Sequence, residues 1–221
     1  MNFLQQRVRY AARFPPGLAP HFCDILTKYV TSNIRPKGAA AMRIHDDRYS
    51  RDQRRLDVAL RFIRHEARTR TIRTWTGLSD DRIRKLYRSY PGAAPGATPR
   101  RHRGKSPQQA ARFTRTARAR QEAALLASLY RLAGALPAQP AGQAAGSLPG
   151  LQRGELLCHT YDAFRALLPQ AGLSFEHAVY LLTALARGDE LTLGACRDCG
   201  AVVVTEHVAL HAPRCAVCGG A

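Results

Sequence analysis

Two Cys-x-x-Cys pairs near the C-terminus constrain this chain more than any other feature. Cys196-Arg197-Asp198-Cys199-Gly200 and Cys215-Ala216-Val217-Cys218-Gly219 have 15 residues between them. Thiolates three positions apart grip one metal from a tight turn, and two such turns supply the four ligands of a tetrahedral zinc. A glycine follows each second cysteine, where the chain curls back and an amide can approach a ligand sulfur. Four thiolates leave no coordination position for water. The spacing therefore predicts one structural zinc ion per chain, in a small ribbon whose folding free energy comes from the metal. A thioredoxin-like dithiol would need one such pair in a βαβ setting, whereas an iron–sulfur cluster accepts the same four ligands. His207 and His211 lie between the pairs and read as loop or strand residues, since the cysteines already saturate the ion. Cys23 and Cys158 read as an isolated thiol and a semi-buried apolar side chain.

Charge is the second constraint. The net charge is +18, and residues 43–120 carry +15 of it, nearly all as arginine, while residues 121–221 sum to −2. A guanidinium matches phosphate oxygens and guanine edges, so a basic half on a neutral scaffold suits a polyanion ligand. A solvated arginine-rich surface is the plainer alternative. Hydrophobic residues make up 45% of the chain, which excludes general disorder. No run of eighteen apolar residues exists to form a transmembrane helix. Met1 to Phe14 lacks the apolar stretch of a secretory signal, and clustered rather than spread cysteines suit a reducing compartment, so a cytoplasmic location is expected.

The chain reads as mainly α, a helical N-terminal half with a helix-turn-helix character joined to the C-terminal four-cysteine ribbon. Residues 1–41 form an N-terminal extension or sequence upstream of a true start at Met42. A basic helical DNA-binding region follows over 42–136, then a Pro/Gly/Ala-rich linker over 137–150, then a helical and ribbon region over 151–221. Apolar positions Leu56, Ala59, Leu60, Ile63 and Ala67 predict a helix from Asp52 to about Thr69. Further helices are expected at 70–75, 80–90, 106–132, 155–168 and 175–186. Ser106-Pro107 with Gln109 and Ser174 are read as helix starts. Val202 to Thr205 is a β-favouring run.

Between Thr71 and Tyr87 the grammar is that of two helices and a tight turn. Gly77 supplies a left-handed turn, Leu78 anchors the corner and Ser79 caps the second helix. Packing Ile72, Trp75, Ile83, Leu86 and Tyr87 inward leaves Arg82, Arg84, Lys85 and Arg88 outward on a candidate recognition helix. Asp80 and Asp81 favour the helix N-terminus but sit awkwardly near phosphate. Arg100, Arg101, Arg103 and Lys105, with Arg112, Arg115 and Arg118, are candidate phosphate contacts. No phosphate loop, nucleophile elbow, His-Glu-x-x-His or dinucleotide fingerprint occurs, so an enzyme is not expected.

Arg82-Ile83-Arg84-Lys85-Leu86-Tyr87-Arg88 before a Pro/Gly-rich loop, and Leu191-Thr192-Leu193-Gly194-Ala195-Cys196-Arg197-Asp198-Cys199-Gly200, give the chain a family likeness. Thr205-Glu206-His207 and the second cysteine pair follow in order. It resembles FlhC, the zinc-binding subunit of the bacterial flagellar master activator, over approximately Met42 to Cys218. The resemblance implies a mostly helical fold and zinc on Cys196, Cys199, Cys215 and Cys218. It also implies promoter DNA binding in a hetero-oligomer with an FlhD-like subunit, and recruitment of RNA polymerase at flagellar operons. An N-terminal extension and an arginine-rich stretch after Pro99 depart from the family pattern. An RNA-binding or ribosome-associated zinc-ribbon protein is the alternative the same features allow.

Overall fold

Helical segments of four to twenty-one residues, separated by Gly, Pro and capping residues, fold here into a mainly helical protein. The computed structural model describes residues 44–90, 99–136, 149–209 and 213–219. The chain divides into two units, Met1–Ala41 and Met42–Ala221. The expected N-terminal extension lies outside the described residues, as do Cys23, His211 and most of the two Pro/Gly-rich breaks.

The second unit contains α1 (Ile44–Arg64), α2 (Thr69–Thr76), α3 (Asp80–Ser89), α4 (Ala111–Thr114), α5 (Ala117–Leu132), α6 (Leu151–Leu167) and α7 (Phe175–Arg187). Two strands follow, β1 (Leu191–Ala195) and β2 (Val202–Glu206). They pair antiparallel, with Leu193 opposite Val204 and Ala195 opposite Val202.

Phe62 of α1 lies in the middle of the core. Its ring meets Phe175 of α7 edge-on at 5.0 Å and lies 6.1 Å from Trp75 of α2. Tyr161 of α6 closes the cluster against Phe175 at 5.3 Å. Aromatic pairs of this kind each add about 0.5–1.5 kcal/mol to what their buried area contributes. Helices on both sides of residues 137–150 thus share one core, so the basic region and the helical-plus-ribbon region pack as one unit. The α1 stripe is shifted from the expected one. Val58, Ala59, Phe62, Ile63 and Ala67 are buried, whereas Leu56 and Leu60 are half-buried, because α1 is covered by α2 on one side and α6 on another.

Two carboxylates tie helices together from inside. Glu176, 6% exposed, accepts from the Arg68 amide at 2.7 Å and from Thr71 Oγ1 at 2.9 Å, so α7 caps the open N-terminus of α2. Glu122, 5% exposed, accepts from Arg118 and from the Gly172 amide, fixing the loop between α6 and α7 to α5.

The helix expected from Ser106 starts later. Residues 106–109 are non-helical, α4 is one turn long, and Thr116 begins α5 by accepting from the Ala119 amide. Phe113 is fully buried and stacks on Tyr180 at 5.8 Å, which holds α4 against α7 and breaks the continuous helix. Ser174 caps α7 as expected, in a reciprocal box with His177.

Candidate metal centre and basic face

The ribbon is built from two matching turns. In the first, the Cys196 amide donates to Ala201 O at 2.7 Å and the Gly200 amide returns to Cys196 O at 2.8 Å. In the second, the Gly219 amide reaches Cys215 O at 2.9 Å and the Cys218 amide points at Cys215 Sγ, 3.3 Å away. Arg197 N donates to Pro213 O at 3.1 Å and joins the turns.

The four sulfurs of Cys196, Cys199, Cys215 and Cys218 lie within 4.8 Å of one another, with Cys199 and Cys215 3.6 Å apart. A tetrahedron of thiolates at ~2.3 Å from a zinc ion has sulfurs ~3.8 Å apart, so this spacing fits a four-coordinate ion. These four cysteines could hold a metal ion. The Cys215 backbone amide draws the Cys196 thiol down to about 6, while the Cys215 and Cys199 side chains push Cys218 up to about 12. Crowded thiols resist joint ionisation, and a bound cation relieves that conflict. The ribbon docks on the helices, β2 against α4 and α5 and β1 against α7. Val203, Val204 and Leu191 are buried there, and Thr114 Oγ1 donates to Glu206 at 2.7 Å.

The second constellation begins with α2 and α3. Gly77 adopts φ 71°, and its amide donates to Arg73 O, closing α2 in the left-handed conformation that glycine reaches without strain. Ser79 then accepts from the Arg82 amide and opens α3. Ile72, Trp75, Leu78, Ile83 and Tyr87 are buried, with Leu86 half-buried. Arg82, Arg84, Lys85 and Arg88 are all exposed. Arg84 pairs with Asp81 at 2.8 Å and Arg73 approaches Asp80 at 3.5 Å, so the two aspartates take up part of the local charge.

The basic cluster after Pro99 is fastened to this helical pair. Arg101 donates to Thr69 Oγ1 at 3.2 Å, and its guanidinium lies 5.9 Å from the Tyr87 ring centroid. His102 binds Glu66 at 2.9 Å, and Arg103 O accepts from Arg68 Nη1 at 2.8 Å. Arg100, Arg101, Arg103 and Lys105 are exposed. Arg112, Arg115 and Arg118 are exposed as well, but Arg118 is bound to Glu122 and to Gln170 O.

Sequence reasoning did not single out Arg68, Arg165 and His177, which line a cleft between the end of α1, His102 and Pro107, the last turns of α6 and the start of α7. These residues are far apart in the chain, and Arg165 sits in its neutral half. His207, exposed beyond β2, is not among the clustered ligands. No helix among the described residues is long and apolar enough to cross a membrane. No family model matches this chain, and no curated protein matches it.

Proposed function

We propose that the protein is a DNA-binding transcriptional regulator of the FlhC type, with α2 and α3 acting as a helix-turn-helix. The observation that carries this reading is the attachment of the Arg100–Lys105 cluster to a helical pair whose second helix exposes Arg82, Arg84, Lys85 and Arg88. Helix α3 would enter the major groove, and the cluster would hold flanking phosphates. Zinc on the four cysteines would be structural, holding the ribbon in shape. The functional complex would include an FlhD-like subunit and act on RNA polymerase at flagellar promoters, in the cytoplasm and without catalysis of its own.

Fluorescence anisotropy of the zinc-loaded protein tests this, with and without an FlhD-like subunit, on a flagellar promoter duplex and a scrambled duplex at several salt concentrations. Promoter preference that survives rising salt is the expected result. Replacing Arg82 and Lys85 by Gln should weaken binding and lower the salt slope by about one per lost phosphate contact. Equal, steeply salt-dependent binding to both duplexes overturns the specific reading, and tighter binding to structured RNA places the protein with RNA-binding ribbon proteins instead.

A further inference from the structure

We propose that Cys199 and Cys215 form a redox-responsive pair, which closes to a disulfide under hydrogen peroxide and releases the ion that the four cysteines hold. The argument starts from the uneven placement of four sulfurs that lie within 4.8 Å of one another. Cys199 is exposed, Cys215 and Cys218 are half-buried, and Cys196 is only 3% exposed. A small oxidant therefore meets Cys199 first, and the Cys215 sulfur stands 3.6 Å away on the opposite turn. Cysteines that sense oxidants are accessible and stand beside a second, resolving cysteine. In a reducing compartment such disulfides are transient and sensory rather than structural.

Contacts that involve no sulfur hold the two turns in register. The Arg197 amide of the first turn donates to Pro213 O at 3.1 Å, and Arg214 of the second turn reaches Asp198 of the first at 3.4 Å. The sulfurs therefore face each other and need to close from 3.6 Å to about 2.0 Å to bond. Burial keeps Cys196 out of the exchange, and its amide fixes it on Ala201 O at the end of β1. A bond between Cys215 and Cys218 would have to start from a less exposed sulfur, whereas the one oxidised first lies on the other turn.

The chemistry takes two steps. The Cys199 thiolate attacks one oxygen of hydrogen peroxide, the O–O bond breaks, an S–O bond forms, and the departing hydroxide takes a proton to become water. The Cys215 thiolate then attacks the Cys199 sulfur, the S–O bond breaks, the S–S bond forms, and a second hydroxide leaves as water. Each sulfur gives up one electron, and the two peroxide oxygens are reduced. Cys196 and Cys218 alone leave a four-ligand site two ligands short, so the ion departs. The disulfide spans the same two turns that the ion would join, so the ribbon stays on its helices after the metal has gone. None of this requires α3 to bind DNA, and only the release step rests on the proposed zinc.

The test treats the full zinc-loaded chain with equimolar hydrogen peroxide, alkylates the remaining thiols and maps tryptic peptides by mass. Cleavage after Arg187, Arg197 and Arg214 puts Cys196 in peptide 188–197, Cys199 in 198–214 and the last two cysteines in 215–221. Peptide 198–214 should be joined to 215–221, with fragmentation placing the bond on Cys215 and with Cys196 alkylated. A colorimetric chelator should take up one zinc per bond formed, and dithiothreitol should reverse the link. In amide exchange, Val202–Glu206 should stay better protected in the oxidised chain than in the reduced chain stripped of metal. A bond between Cys215 and Cys218, any bond to 188–197, or sulfinic acid on Cys199 without a bond overturns the pair. Equal loss of protection in the oxidised and stripped chains overturns the claim that the ribbon stays docked. The link can also be mapped in the stripped chain, so a protein that takes up no zinc removes the metal reading while the position of the bond still decides this one.

Discussion

The α2–α3 pair and the cysteine ribbon are held in shape by different forces. The helical pair buries Ile72, Trp75, Leu78, Ile83 and Tyr87, each no more than 8% exposed. It is anchored by the same apolar core as α1 and α7. The ribbon strands bury Leu191, Val203 and Val204, while Val208 and Val217 remain 78% and 85% exposed. So little apolar area cannot offset the entropy of ordering its turns. One region carries its stability in side-chain burial, and the other adds four clustered cysteines that could hold a metal ion. The ribbon rests on other helices, β2 on α4 and α5 and β1 on α7.

The largest way to separate them is to remove a ligand. Cys196→Ser should abolish stoichiometric zinc and cost more than about 4 kcal/mol, the size associated with losing a structural metal. Amide exchange should show Val202–Glu206 losing protection while Ile83–Tyr87 keep theirs. Equal loss in both would show a single cooperative unit, and retained zinc with an unchanged melting temperature would remove the structural-metal reading.

The converse variant is Trp75→Ala. Deleting a 5% exposed indole beside Phe62 leaves a cavity and should cost about 3–5 kcal/mol. Zinc content of the surviving folded fraction should not change. A denaturant midpoint and a metal assay on one sample read both quantities.

The helical pair was legible because its signals are local. Gly77, Leu78 and Ser79 stand where the turn and cap require them, and the apolar spacing between Ile72 and Tyr87 matches the buried face. The cysteine cluster was legible for the same reason. What escaped is non-local. Glu176 caps a helix more than a hundred residues away, and no spacing rule announces it. Phe113 breaks a helix because Tyr180 is there to stack upon. The first turns of α1, from Ile44, show no apolar period and read as irregular. The cleft draws on four separate segments, and Arg165 in its wall lies outside the basic half.

Acid distinguishes the two regions a second way. His65 stacks on Phe175 at 4.8 Å, and its Nε2 lies 3.3 Å from Asp162 Oδ1 but outside hydrogen-bond geometry. Burial lowers the imidazole to about 4 against the attraction of Asp162, with Arg64 and Arg61 adding to the decrease. The unfolded chain takes this proton near pH 6.5 and the folded chain not until about 4. Stability from this group is therefore complete above about 6.5 and lost as pH falls toward 4. The loss is on the order of 2–3 kcal/mol. Acid also protonates thiolate ligands and releases metal. Melting temperatures of wild type and His65→Gln across this range, each with a zinc readout, divide the effect. The variant should show a shallower decline while metal release stays where it was, and identical declines would assign the acid limb to other groups.

The smallest effect tests the turn itself. A methyl group at Gly77 would meet no atom within 4 Å, so Gly77→Ala changes the backbone and nothing else. At φ 71° an L-residue costs about 1–2 kcal/mol, reduced by the freedom alanine removes from the unfolded chain. The net loss should be about 1 kcal/mol, and Gly77→Asn should recover part of it because asparagine tolerates this conformation. Duplex affinity, measured where both proteins are fully folded, should fall only if the angle between α2 and α3 matters for binding. Unchanged affinity with lowered stability would show that the basic side chains act as a charged surface, and that the turn contributes to folding without setting a docking geometry.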